Sequence, residues 1–265
     1  MRSPTSPFDF RGALTDEVRA AAEELDHPAT PRGVHRCRVR LKRARALARV
    51  GHIHAPGLAS VFNDSARGVM RTLARARDLQ ALADTARRLA EKLSGKAASG
   101  LRSAAQTLDA ARAALAPIDD TEVRAGLRDL LALAHVWPEA PSRQIAKGAE
   151  RIARRARTAW QDGRRADHPE RRHTWRQREK DRLYVVELLG GCWSGKRRRK
   201  RSAALVEVLG RERDVFLLLT HLEAEPSMAG GVRPAEAAIA ALKQRHEKLA
   251  RKADRLAAKV HAGGA

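Results

Sequence analysis

Aromatic residues are scarce in this chain: one Tyr, four Trp and four Phe among 265 residues, or 3%. Sheets draw on aromatic and β-branched side chains, whereas the 43% hydrophobic content here is mostly Ala, Leu and Val, so composition speaks against an all-β fold. Cysteine is scarce too. Cys37 and Cys192 stand in no CxxC or Cys/His cluster, which gives neither a disulfide framework nor a zinc site, and both read as small, reduced packing residues. No apolar run approaches the ~18 residues of a membrane span. The N-terminal ten residues carry one basic residue with no apolar stretch behind it, so no secretory leader is expected and the expected compartment is the cytoplasm. GxGxxG, GxxxxGK[ST], HExxH and GxSxG are absent, which removes the usual nucleotide, zincin and hydrolase signatures.

Acidic charge is the last deficit. Against 31 Asp and Glu stand 53 Lys and Arg, a formal net charge of +22. Self-repulsion on that scale opposes a compact state unless anions relieve it, so the expected partner is a polyanion.

Helical periodicity runs through the whole chain. Apolar spacing predicts helices over Phe8 to Leu25, Arg32 to Val50, Leu58 to Leu93 as one helix or two joined ones, and 101–115. Glu122 to Val136, Ser142 to Gln161, Glu170 to Leu189, 196–223 and Pro234 to Val260 complete the set. The breaks fall at His27 to Pro31, Gly51 to Gly57, Ser94-Gly95, Pro117, Trp137-Pro138, Gly163 to Pro169, Gly190-Gly191 and Ala224 to Val232. Nine or ten helices with short connections predict an all-α fold, a pair of antiparallel helical bundles. A coiled coil fits less well, because breakers interrupt the apolar repeat.

Two segments share a pattern when aligned on a histidine. His35 is followed by Arg38, Lys42, Arg45 and later Arg77-Asp78; His173 is followed by Arg176, Lys180 and later Arg213-Asp214. The chain reads as an internal duplication. At about 100° per residue, His35, Arg38, Lys42 and Arg45 fall within an arc of about 80°, and Arg49 extends that stripe. Val34, Cys37, Leu41, Ala44 and Ala48 form the adjoining apolar stripe that faces the core. No carboxylate occurs between Arg32 and His54, so the stripe reads as the wall of a polyanion groove rather than a mixed solvated face. Glu170, Glu179 and Asp181 dilute the second stripe, and the run Lys196–Arg201 restores charge beside it. Asp78 and Asp214 read as carboxylates that orient arginines. The remaining histidines, His27, His52, His54, His135, His168, His221, His246 and His261, lack ligand-type spacing and read as surface or internally satisfied.

His35-Arg-Cys-Arg-Val-Arg-Leu-Lys-Arg-Ala-Arg-Ala46 with Ala76-Arg-Asp78, and His173-Thr-Trp-Arg-Gln-Arg-Glu-Lys180 with Tyr184 and Leu209-Gly-Arg-Glu-Arg-Asp214, resemble the two halves of the CHAD family, the conserved histidine α-helical domain. The resemblance runs from about residue 8 to 260 and implies one CHAD domain over 8–260, with halves 8–137 and 138–260. It implies two four-helix bundles related by pseudo-twofold symmetry, with a basic groove between them. It also implies binding of inorganic polyphosphate and association with polyphosphate granules. The positions it points to are His35, Arg38, Lys42, Arg43, Arg45, Arg67, Arg77, His173, Arg176, Lys180 and Arg213; Arg49, Arg182, Tyr184 and Arg201 join them as neighbours of the stripes. Where the family has Arg-Leu-Arg-Tyr after the lysine, this chain has Asp181-Arg-Leu-Tyr184, so the second half of the groove is expected to be weaker or tilted.

Polyphosphate suits a surface rich in guanidinium and ammonium donors and poor in π-faces. The expected function is therefore a non-catalytic polyphosphate binder with no metal and no cofactor. Nucleic acid is the alternative partner, disfavoured by the lack of stacking aromatics. An enzyme acting on phosphoanhydrides is the remote one, because no acidic cluster that could hold a metal adjoins either histidine.

Overall fold

The computed structural model of the chain describes residues 8–25, 30–116, 120–165, 168–190 and 196–262. Among them are ten α-helices and no strand, as the apolar spacing predicted. They are α1 (Phe10–Glu23), α2 (Pro31–Gly51), α3 (Pro56–Thr72), α4 (Arg75–Ala90), α5 (Gly95–Ala113), α6 (Asp120–His135), α7 (Ser142–Arg165), α8 (Pro169–Leu188), α9 (Lys196–Ala224) and α10 (Val232–His261). His27, Cys192 and the side chains of Lys196, Arg197 and Arg198 lie outside the described residues.

Local chemistry sets the helix starts. Asp9 caps α1 by accepting from the Gly12 amide at 2.8 Å, and Thr30 caps α2 by accepting from the Gly33 amide at 3.0 Å, with Pro31 preset at the first helical position. α2 ends at Gly51 for a packing reason. A Cβ there would stand 2.7 Å from the rings of both Phe10 and Trp137, so only glycine lets those rings close over the helix end.

Of the two alternatives for the stretch 58–93, the structure has two joined helices, which part at Leu73-Ala74 although no breaker occurs between Val69 and Leu93. Two boundaries differ from the periodicity. α5 begins six residues before position 101, with Gly100 set against the Pro234 carbonyl, where a Cβ would fall 2.6 Å from the oxygen. α7 runs on to Arg165, through Gly163, which the sequence placed in a linker. Gly163 is a buried helical residue packed beside Trp175 of α8, with room for a Cβ at 3.4 Å, and this packing carries the helix through a residue of poor helix propensity.

The helices form two compact units, neither of them continuous in sequence. The first takes Met1–Leu73 and Ile118–Ser202, hence α1, α2, α3, α6, α7, α8 and the start of α9. The second takes Ala74–Pro117 and Ala203–Ala265, hence α4, α5, the rest of α9 and α10. Compact units thus do not follow the division at 137/138: each draws on both halves of the chain, and the first holds six helices rather than four.

The core of the first unit is organised on Trp137, fully buried between Phe10 and Phe62, at ring distances of 5.7 and 6.0 Å. Ala44, Ala46, Ala48, Leu41 and Leu47 bury the inner face of α2 completely, and such small side chains allow the close helix approach that the composition anticipated. Leu82, Leu101, Leu108, Leu205, Leu218 and Leu242 form the equivalent interior of the second unit.

Candidate polyanion-binding surface

On α2 the apolar stripe is buried as expected, and the basic stripe runs along its edge. His35 is exposed, while Lys42, Arg43, Arg45 and Arg49 are half-buried. Arg38 is buried outright, and its guanidinium donates to the Met70 carbonyl of α3. Arg45 reaches the same helix, its Nε 3.4 Å from Asn63 Oδ1. These groups are held in place and poorly hydrated. Burial, with the neighbouring Arg49, pushes the Arg45 guanidinium down to about 10, and burial also lowers Arg49. A cation so placed gains more than an exposed one from an anion brought to it.

α2 and α8 pack together through two ion pairs. Arg43 NH1 lies 2.8 Å from Glu187 Oε2, and Arg49 NH1 lies 2.9 Å from Asp181 Oδ1. Numbers rise along α2 as they fall along α8, so the helices are antiparallel. Positions 43 and 181 are 138 apart, as are 49 and 187, and this is also the separation of His35 and His173. The two histidines consequently sit at opposite ends of the helix pair, about 30 Å apart along it at ~1.5 Å per residue.

The second stripe is thinner. His173 is half-buried with Nε2 2.7 Å from the Gln177 amide nitrogen, and Arg176 and Lys180 are half-buried beside it. Tyr184 packs partly on the core, and burial together with Glu187 raises its hydroxyl above the usual range. Arg182 is not at the surface. Its Nε donates to Glu179 at 2.9 Å and its NH2 to Ser202 at 3.1 Å, while Trp175 Nε1 donates to the other Glu179 oxygen at 3.2 Å. Through this interior network Arg182 braces the helix from within.

The other sequence-predicted residues are dispersed. Arg67 is exposed, 3.1 Å from Asp64, and contributes positive potential to Arg45 and Arg49; Arg201 is exposed at the start of α9. Arg77 and Arg213 belong to the second unit, where Arg77 lies 3.3 Å from Asp78 and Arg213 stacks 5.3 Å over the Phe216 ring. His54 Nε2 accepts from Trp137 Nε1 at 3.1 Å, but its buried Nδ1 has no hydrogen-bond partner among the described residues, so the ring is only half satisfied. Among the described residues no group of three His, Cys, Asp or Glu could hold a metal ion, and no helix is long and apolar enough to cross a membrane.

One basic feature escaped the sequence reading. A cleft of about 700 Å³ opens between α7 and α8, lined by Arg154, Arg155, Arg171 and Arg178 among others. The signal that exposes it is a comparison of α7 with α1 at the 138-residue separation: Asp16-Glu17 of the first half stand where Arg154-Arg155 stand in the second.

The chain matches the CHAD domain family over residues 12–223, most of its length. It belongs to that family. The CHAD fold is also what solved structures give: the crystal structure of the CHAD domain from the plant Ricinus communis superposes with a TM-score of 0.61 at 20% identity, covering 98% of this chain and 94% of that one. No curated protein sequence matches it. Against the family pattern quoted above, Asp181, Arg182 and Leu183 are the departures, and the structure gives each a use, Arg182 in the interior network with Glu179 and Ser202. Asp181 supplies the counter-ion of Arg49, and Leu183 joins the buried interior.

Proposed function

We propose that this CHAD protein binds inorganic polyphosphate through the basic surface of α2 and α8. The observation that carries the reading is the paired histidine-led stripe: two copies 138 residues apart, on helices that pack against each other, each edged by half-buried cations on a fixed frame. The recurrence of the Arg43–Glu187 contact as Arg49–Asp181 supports a duplication that relates 8–137 to 138–260 within one domain over 8–260. A linear phosphate chain offers acceptors at regular intervals, which suits arginine forks and lysine point charges spaced along a helix. Release of counterions would supply much of the affinity and make it fall with salt. In this reading the protein is a binder rather than an enzyme, requires no cofactor, and works in the cytoplasm on polyphosphate granules.

A competition titration near physiological salt tests the proposal, with labelled long-chain polyphosphate as probe and unlabelled polyphosphate or duplex DNA as competitor. Displacement by polyphosphate at far lower charge concentration than by DNA is the expected result. Equal displacement per charge overturns the reading and makes the +22 a general electrostatic surface for nucleic acid. His35→Ala with Lys42→Ala should weaken polyphosphate binding and leave helical content unchanged.

A further inference from the structure

The cleft between α7 and α8 lies around α8 from its histidine and adjoins the α2 stripe only at Arg49, which shares Asp181 with Arg178. On α8, Arg171, Thr174 and Arg178 point about 160° around the helix from His173, Arg176 and Lys180. The cleft has walls on two helices, and Thr158, Ala159 and Thr174 line it alongside the arginines.

The first half of the chain supplies an internal control. There α1 packs on α2 as α7 packs on α8, and its acids neutralise the arginines opposite: Glu24 pairs with Arg36 at 2.5 Å, and Glu17 with Arg40 at 3.3 Å and Arg43 at 2.8 Å. The corresponding partners 138 residues on are Asp162 with Thr174, and Arg155 with Arg178 and Asp181. Where the first copy joins opposite charges, the second sets arginine against arginine. Asp181 answers only part of this, since it also serves Arg49 at 2.9 Å while Arg178 stands at 3.6 Å. Guanidinium groups converging from two helices cost the fold free energy unless an anion enters. Asp162 and Glu170 line the cleft near the α7–α8 turn and repel an anion there, which confines the phosphates to the end held by Arg154, Arg155 and Arg178.

We infer that this cleft is a second anion site, on the side of α8 turned from His173, Arg176 and Lys180, and that it takes a short phosphoanhydride of about tripolyphosphate size. Two or three linked phosphates match the three guanidinium groups of Arg154, Arg155 and Arg178. Thr158 and Thr174, which also line the cleft, carry hydroxyls able to donate to oxygens that the arginines leave free.

The test is titration of the full-length protein with inorganic tripolyphosphate by calorimetry. Arg154→Asp with Arg155→Glu restores the charges of the first copy, and Arg154→Gln, at an exposed position, removes one charge without threatening the fold. The double variant should weaken tripolyphosphate binding at least about tenfold, and Arg154→Gln should weaken it several-fold. Both should keep long-chain polyphosphate affinity within about threefold, whereas Lys42→Ala should do the reverse. The proposal is overturned if wild type does not bind tripolyphosphate, if the arginine variants bind it unchanged, or if Lys42→Ala is what abolishes it. Failure of the polyphosphate reading shows separately, as loss of selectivity in the competition titration with the tripolyphosphate isotherm intact.

Discussion

Glu179 is fully buried, and its two oxygens hold Trp175 and Arg182 at once. Removing the carboxylate leaves the Arg182 guanidinium inside without its counter-charge. Glu179→Ala should therefore cost about 3–5 kcal/mol of stability, and Glu179→Gln, which keeps an acceptor for the indole, clearly less. Urea unfolding followed by tryptophan fluorescence reads both, and a Glu179→Gln midpoint equal to that of wild type would remove the charge argument. His54 makes a pH prediction of opposite character. Trp137 Nε1 can only donate, so His54 Nε2 must be the unprotonated nitrogen, and burial holds the imidazole below its ordinary value of 6.5. Below pH 6.5 the unfolded chain takes up a proton that the folded chain resists. This contribution to stability is thus present above pH 6.5 and lost as pH falls through the folded value. His54→Gln should show a smaller drop in Tm than wild type between pH 7.5 and 5, and parallel curves would assign the acid sensitivity elsewhere.

At the scale of elements, two glycines of α7 predict opposite outcomes. A Cβ on Gly148 would lie 2.3 Å from the Val50 carbonyl oxygen, a backbone atom of α2 that cannot step aside, whereas on Gly163 the nearest atom is 3.4 Å away. Gly148→Ala should destabilise by about 1–3 kcal/mol, and Gly163→Ala should be neutral or stabilise by up to about 1 kcal/mol through helix propensity. Thermal melts of the two variants side by side decide it; a loss at both would mean that α7 and α8 tolerate no added atom. The same pair shows where sequence reading succeeds. Helix identity and the α2 stripes were legible because a period of 3.6 is written in one segment, and Thr30, Pro31 and Gly51 mark its ends locally. The continuation of α7 through Gly163 and the position of the break at Leu73-Ala74 were not, since each depends on what packs there from elsewhere. The Arg49–Asp181 contact and the interior placement of Arg182 were illegible for the same reason. The α7–α8 cleft lay between: Asp16-Glu17 and Arg154-Arg155 are visible in the sequence, but only the 138-residue alignment makes their contrast meaningful.

For the whole molecule, the antiparallel α2–α8 pair sets the two histidine-led stripes at the two ends of one surface. His35 and His173 stand about 30 Å apart along it, so under the proposed function a polyphosphate chain must reach that far before it engages both. A shorter chain would then bind one end, and a longer one would bind the second end intramolecularly, at an effective concentration far above its bulk value. Affinity plotted against chain length should accordingly show a step rather than a smooth rise with charge. The salt slope should steepen at the same length, because more counterions are released once both ends are occupied. The ends are unequal, since Asp181 and Leu183 replace the basic positions that Arg43 and Arg45 supply on α2. For chains longer than the tripolyphosphate of the cleft but too short to reach both ends, Lys42→Ala should therefore reduce affinity more than Lys180→Ala does, while either variant alone should flatten the step. Fluorescence anisotropy with size-fractionated polyphosphate at two salt concentrations measures both quantities. A smooth, charge-proportional curve that neither lysine variant reshapes would mean that the +22 acts as a diffuse field and that the two-ended surface plays no part.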